Sequence, residues 1–182
     1  MASTRAEVRR SVFRLLGAIG VDSPPIPVER VAEHLGACVR SVPLAGKEAL
    51  SGLLYRAEGE TIIGVNKEHP ETRRRFTIAH EIGHLVLHDR HPLHIDRDFP
   101  VRLRDARSSQ AVDPDEIAAN AFAAELLMPT AMVLGDLEGQ SVDYEDEQAI
   151  RHLADRYKVS LQAMIFRLVN LGLLDQAPDF GA

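Results

Sequence analysis

The chain has 182 residues, enough for one sizeable domain or for one domain with a small helical appendage. Apolar residues make up 45% and charged residues 26%, the mixture of an ordinary soluble globular protein, and a net charge of −6 disfavours nucleic acid as the principal ligand. Cys38 is the only cysteine, which excludes an internal disulfide and any cysteine-based zinc site.

Residues 4–19 read as an amphipathic helix, with Val8, Val12, Leu15, Leu16 and Ile19 on one stripe. Arg14 interrupts the apolar run and no small-residue cleavage site follows, so this segment is not read as a signal peptide. No run approaches the ~18 apolar residues of a membrane span. With a single cysteine, these features lead to the expectation of a cytoplasmic protein without a membrane segment. Pro24, Pro25 and Pro27 form a stiff link to a second helix over residues 28–35, which Gly36 stops. Residues 38–43 are a short strand candidate. Residues 50–56 and 60–65 flank an Ala-Glu-Gly turn and read as a β-hairpin.

Pro70 opens a long helix that reaches about His88. Residues 89–112 read as irregular, with one strand candidate over 101–104. Asp113 then serves as N-cap, with Pro114 at N1 and Glu116 at N3, for a helix that runs to Met128 and halts at Pro129. A shorter helix follows to Leu137, then a polar, acidic linker over 135–147. Two last helices cover about 146–157 and 160–171, stopped by Gly172, before a frayed tail. The fold class is α+β, with a small mixed or antiparallel sheet. The expected division is a main domain over residues 1–139 and a C-terminal helical subdomain over 140–182.

The segment FTIAHEIGHLVLH, residues 76–88, carries polar groups through an otherwise apolar helix. His80 and His84 sit about 40° apart on the helix surface and about 6 Å apart along its axis. Both imidazoles can therefore converge on one metal ion. Glu81 lies beside that face, where it acts as a general base and not as a ligand. This is the His-Glu-x-x-His zinc-peptidase signature. The bland alternative buries two histidines and a carboxylate without partners, at a cost of several kcal/mol. Gly83 gives up about 1 kcal/mol of helix propensity but removes bulk beside the histidine face, so a second element can approach.

A hydrolytic zinc site needs a third protein ligand and one open position. His88 lies about 12 Å along the axis from His80 and cannot share its ion. It is read as a capping or surface histidine. Leu87 and Arg90 stand where the metzincin pattern needs Gly and His, which excludes that class. His91 and His94 require a loop to fold back. The better candidate is Glu116, in DEIAANAFAAELLMP, with Asn120 about 40° away on the same helical face. Asn120 can accept a hydrogen bond from a ligand histidine and fix its tautomer. The competing role for Glu116 is the capping box behind Asp113. Glu125 lies about 180° around the helix from Glu116 and is expected to face solvent.

Together, RRRFTIAHEIGHLVLH and EIAANAFAAELLMP resemble the ImmA/IrrE family of zinc-dependent metallopeptidases, over a core of roughly residues 50–135. The resemblance implies a zincin-like metallopeptidase domain, with His80, His84 and Glu116 as Zn2+ ligands and Glu81 as base. It also implies a protein substrate, a helix-turn-helix transcriptional repressor whose cleavage relieves repression. Tyr55, Tyr144, Tyr157, His91 and His94 are open alternatives for stabilising the oxyanion. Residues 61–65 could pair with an extended substrate segment.

The C-terminal stretch LADRYKVSLQAMIFRLVNLGLL reads like a helix-turn-helix pair with Ser160 as a cap. Residues 141–182 hold four basic and seven acidic side chains, a poor phosphate-binding surface. Direct DNA binding is therefore not expected, and the pair is read as packed helices or a dock for the repressor. Two alternatives to repressor cleavage stay open: a non-proteolytic metal-binding regulator that sequesters its partner, and a DNA-binding regulator acting through these helices.

Overall fold

The computed structural model describes residues 4–43, 50–57, 59–87, 93–97, 113–138 and 147–174. Within them the chain is α+β, with seven helices and one four-stranded mixed sheet. Helix α1 spans Arg5–Ala18 and opens on a capping box, in which Thr4 Oγ1 accepts from the Glu7 amide and the Glu7 carboxylate accepts from the Thr4 amide. Helix α2 spans Val28–His34, and Gly36 ends it with φ +77°. Strands β1 (Ala37–Val42), β2 (Leu50–Ala57) and β3 (Glu60–Asn66) follow, then helix α3 (Glu71–Leu87).

Strand β4 spans Leu93–Arg97, inside the stretch read from sequence as irregular. Leu93 and Ile95 do alternate, but a run of five residues becomes a strand only because Tyr55 and Leu53 of β2 stand opposite them. The strand candidate at 101–104 lies outside the described residues. Sheet order is β1-β3-β2-β4, with β1 parallel to β3 and both other pairs antiparallel. Strand β3 is thus paired on both sides, so residues 61–65 have no free edge for a substrate segment. Among the described residues the edges are β1 and β4.

Helix α3 packs across β2 and β3, which present Leu54, Ile63 and Val65 to it. Helix α4 (Pro114–Leu127) packs along α3, and α1 packs on α4. Helix α5 (Thr130–Leu137) follows the break at Pro129. Helices α6 (Glu147–Tyr157) and α7 (Leu161–Asn170) are joined by a short turn in which Lys158 takes φ 51° and Ser160 caps α7. Their buried Ile150, Ala154, Tyr157, Met164 and Leu168 belong to the same hydrophobic core as Val12 of α1, Ile63 of β3 and Phe122 of α4. No single described helix is long and apolar enough to cross a membrane.

Candidate metal centre

Helix α3 supplies two histidines one turn apart, and α4 supplies a carboxylate opposite them. Gly83 decides how close the two helices come. A methyl group there would stand 3.0 Å from Ala119 Cα, 3.0 Å from the Ala119 carbonyl oxygen and 3.2 Å from Phe122 Cβ. The loss of bulk predicted beside the histidine face is used, and by α4. His80 and His84 are buried, at 1% and 5% exposure, and Glu81 is fully buried.

The Nε2 atoms of His80 and His84 are 2.9 Å apart. Glu116 Oε2 lies 3.4 Å from His80 Nε2, and Glu116 Oε1 lies 3.2 Å from His84 Nε2. One donor atom from each residue falls within 4.8 Å of the others. Metal–ligand bonds of ~2.0–2.1 Å at tetrahedral angles require donor atoms roughly 3.3 Å apart, so these separations suit a single ion.

His80 Nδ1 lies 3.0 Å from Asn120 Oδ1. An amide oxygen only accepts, so Nδ1 carries a proton, and Nε2 is the ring nitrogen left to serve as a metal donor. Two imidazole nitrogens and a carboxylate meeting there are a donor set for a divalent cation. Burial works to raise the Glu116 carboxyl, but hydrogen bonds and charge from His80 and His84 outweigh it and hold it well below the usual carboxylate range. The capping-box role for Glu116 is not what is seen. Asp113 caps the Asp115 amide at 2.9 Å while the Glu116 carboxylate faces the histidines.

Glu81 projects toward the sheet. A Cβ added to Gly52 of β2 would stand 3.2 Å from Glu81 Oε1 and would overlap Thr77 Cγ2. Gly52 is therefore a position the sequence reading passed over, although a glycine inside a strand is a signal of close approach. Arg56, two pleats along the same face, donates from Nη2 to the His84 carbonyl oxygen at 3.3 Å and ties β2 to α3 beside the cluster.

Tyr55 lies on the opposite face of β2 from Gly52 and is 42% exposed, so it does not face the cluster. The Tyr157 hydroxyl donates to Asp136 at 2.9 Å, between α5 and α6. His88, His91 and Tyr144 lie outside the described residues. So does the side chain of His94, whose backbone is in β4.

Glu125 departs from expectation. It is buried and does not face solvent. Its carboxylate accepts from the Thr130 amide at 3.0 Å, from Thr130 Oγ1 at 2.9 Å and from Arg167 of α7 at 2.5 Å. Arg167 also donates to the Met128 carbonyl at 2.9 Å. Glu125 is therefore closed off at the end of α4 by the Arg167 side chain of α7, which helical geometry alone could not reveal.

Compared with known proteins, residues 32–169 match the sequence model of the IrrE N-terminal-like domain, a peptidase family. No curated protein matches the chain by sequence. Among solved structures, a Mycobacterium tuberculosis transcriptional regulator is similar in fold, with a TM-score of 0.54 and 14% identity. The similarity covers 89% of this chain and 46% of that one, so this chain spans about half the length of that regulator.

Proposed function

The chain belongs to the IrrE N-terminal-like family of peptidases, and from that premise we propose that it is a zinc-dependent endopeptidase whose substrate is a helix-turn-helix transcriptional repressor. The observation that carries the reading is the convergence of His80 Nε2, His84 Nε2 and a Glu116 carboxylate oxygen within the reach of one ion. These three side chains are the proposed ligands. The chemistry supplied by bound zinc is Lewis acidity, which lowers the pKa of water toward about 7 and polarises a peptide carbonyl.

The chain's own groups divide the remaining work. Glu81, one residue on from His80, accepts the proton of the attacking water. Asn120 holds the His80 tautomer with Nε2 bare. Gly52 leaves room for the Glu81 carboxylate against β2, where a Cβ would stand 3.2 Å from Oε1. Burial of His80, Glu81 and His84 keeps bulk water from competing for their hydrogen bonds.

A protein partner, and not DNA, suits the C-terminal helices. Their four basic side chains are all in ion pairs: Arg151 with Glu147, Arg156 with Asp136, Lys158 with Glu71 and Arg167 with Glu125. Little positive charge is left for phosphates.

The test is incubation of the metal-loaded chain with its cognate repressor, with fragments read by mass spectrometry. Wild-type protein should cut the repressor. A chelator or Glu81→Gln should stop the cut, and Glu81→Gln should still bind one zinc. Intact repressor beside fully loaded wild-type protein would refute the endopeptidase and favour sequestration of the partner.

A further inference from the structure

Helix α1 carries a charge opposite to that of the rest of the chain. It holds Arg5, Arg9, Arg10 and Arg14 against one carboxylate, Glu7, so it contributes +3 to a total of −6 and leaves −9 for the remainder. Val8, Val12 and Leu16 turn one side of the helix into the core. The other side is exposed, and Phe13 stands in it with 75% of its surface open, the most exposed large apolar side chain among the described residues. Arg9 and Arg10 lie four and three residues before Phe13 and share its face, and Arg14 follows it directly.

The positive charge of this face is uncompensated. Glu7 is already counted in the +3, and its carboxylate accepts from the Thr4 amide at 2.7 Å and from Thr4 Oγ1 at 2.9 Å. None of the four arginines is in a salt bridge or a side-chain hydrogen bond among the described residues. All four cations are arginines, and α1 has no lysine. A guanidinium grips a carboxylate through two parallel hydrogen bonds, where an ammonium offers a point charge. Arginine and aromatic side chains are enriched at protein interfaces and lysine is depleted. The capping box at Thr4 and the buried stripe hold the face in one shape, so little ordering is required when a partner arrives.

We propose that this face of α1 binds an acidic segment of a protein partner, with an apolar side chain of that segment on Phe13 and its carboxylates on Arg9, Arg10 and Arg14. The charge distribution selects this occupant. The stretch from Arg5 to Arg14 is about 14 Å long. A DNA duplex carries one charge every ~1.7 Å and runs on past such a patch, over a molecule whose remaining charge is −9. A short acidic segment ends within the patch. A membrane surface takes up the apolar side of an amphipathic helix, and in α1 that side is buried in the core. The face uses no residue of the metal centre and does not depend on the peptidase reading.

The test uses the full chain carrying Glu81→Gln, so that no probe is cleaved. The probe is a capped heptapeptide with a central leucine between two runs of three glutamates, titrated at low salt. Its counterparts carry lysine for glutamate, or glycine for leucine. A twelve-base-pair DNA duplex and phosphatidylglycerol vesicles represent the other anionic surfaces. The acidic leucine peptide should bind most tightly, with amide 1H–15N shifts concentrated at residues 5–17. Arg9→Gln with Arg14→Gln should weaken it about tenfold, as expected for two exposed charge pairs. Phe13→Ala, which leaves every charge in place, should weaken it by about as much. All three side chains are exposed, so these variants keep the fold. Arg40→Gln with Lys67→Gln removes two exposed charges outside α1 and should leave affinity within about twofold.

No binding of the acidic leucine peptide, equal binding of the glycine or lysine peptide, or undiminished binding in either α1 variant would overturn the proposal. Tighter binding of the duplex or the vesicles would overturn it too, as would shifts confined to residues outside 5–17. So would a concentration-dependent dimer of the free chain that Arg9→Gln with Arg14→Gln dissolves, because the occupant of the face would then be a second copy.

Discussion

Gly83 of α3 and the backbone of Ala119 in α4 are in direct register, and a single added methyl would stand 3.0 Å from both Cα and carbonyl oxygen of Ala119. That contact sets the spacing across which Glu116 reaches His80 and His84. Gly83→Ala gains about 1 kcal/mol of helix propensity but must push against backbone that has nowhere to yield. The expected outcome is a net loss of roughly 1–3 kcal/mol in urea unfolding, together with weaker zinc binding. A variant as stable as wild type would show that the helices can separate freely.

Asn120→Ala removes the acceptor for His80 Nδ1 without touching a proposed ligand. Loss of such an outer partner costs about 10–100-fold in metal affinity. Competition against a chromophoric chelator should read that loss. Asn120→Asp, which keeps an acceptor at the same place, should restore most of it. Equal affinity for all three proteins would remove Asn120 from the account.

Metal binding by the native state should appear as stability. With free zinc at about 100 times the dissociation constant, stabilisation of about 2.7 kcal/mol follows from mass action. Thermal melts with and without zinc should show this for the wild type and lose it in His84→Ala. Glu116→Gln should also lose most of the increment, because a neutral amide is a poorer ligand.

Arg167 and Glu125 form a buried pair that joins α7 to the end of α4. Arg167→Met leaves the Glu125 carboxylate without that charge partner, and an uncompensated buried charge costs about 3–5 kcal/mol. Adding Glu125→Met should recover much of the loss, since an apolar pair of similar size can replace a buried ion pair. Denaturant midpoints of the two variants decide it. A double variant less stable than Arg167→Met would mean that the Thr130 contacts of Glu125 carry the stability instead.

Burial raises the Tyr157 phenol, and its hydrogen bond to Asp136 and the charge of Asp136 raise it further. The folded state therefore holds the proton more tightly than the unfolded chain does. The resulting stability is fully present below the unfolded tyrosine value of about 10 and is lost as pH rises through the higher folded value. Unfolding measured from pH 9 upward should show this decline, and Tyr157→Phe should reduce its slope. An unchanged slope would place the alkaline instability elsewhere.

Much of the fold and the core of the centre were legible in the sequence because they are set by local geometry. Spacing of four residues puts His80 and His84 on one helical face wherever that helix is placed. Glycine at 83 and alanine at 119 and 123 announce a close helix contact. Thr4, Ser160 and Gly172 mark helix ends through hydrogen bonds or backbone angles made within a few residues. Residue 116 could be brought forward as a ligand, but its capping role could not be dismissed, since both demand a carboxylate at the same place in the chain.

Tertiary packing decided what depends on distant neighbours. It turned Glu116 toward the histidines and left Asp113 to cap α4. It made a strand of Leu93–Arg97 by placing β2 beside it, and closed both edges of β3. It buried Glu125 against Thr130 and Arg167, because a helix face is solvent only if no later residue covers it. Periodicity reports which side chains share a surface; only the meeting of two surfaces fixes which of those side chains are buried, paired or brought to one point.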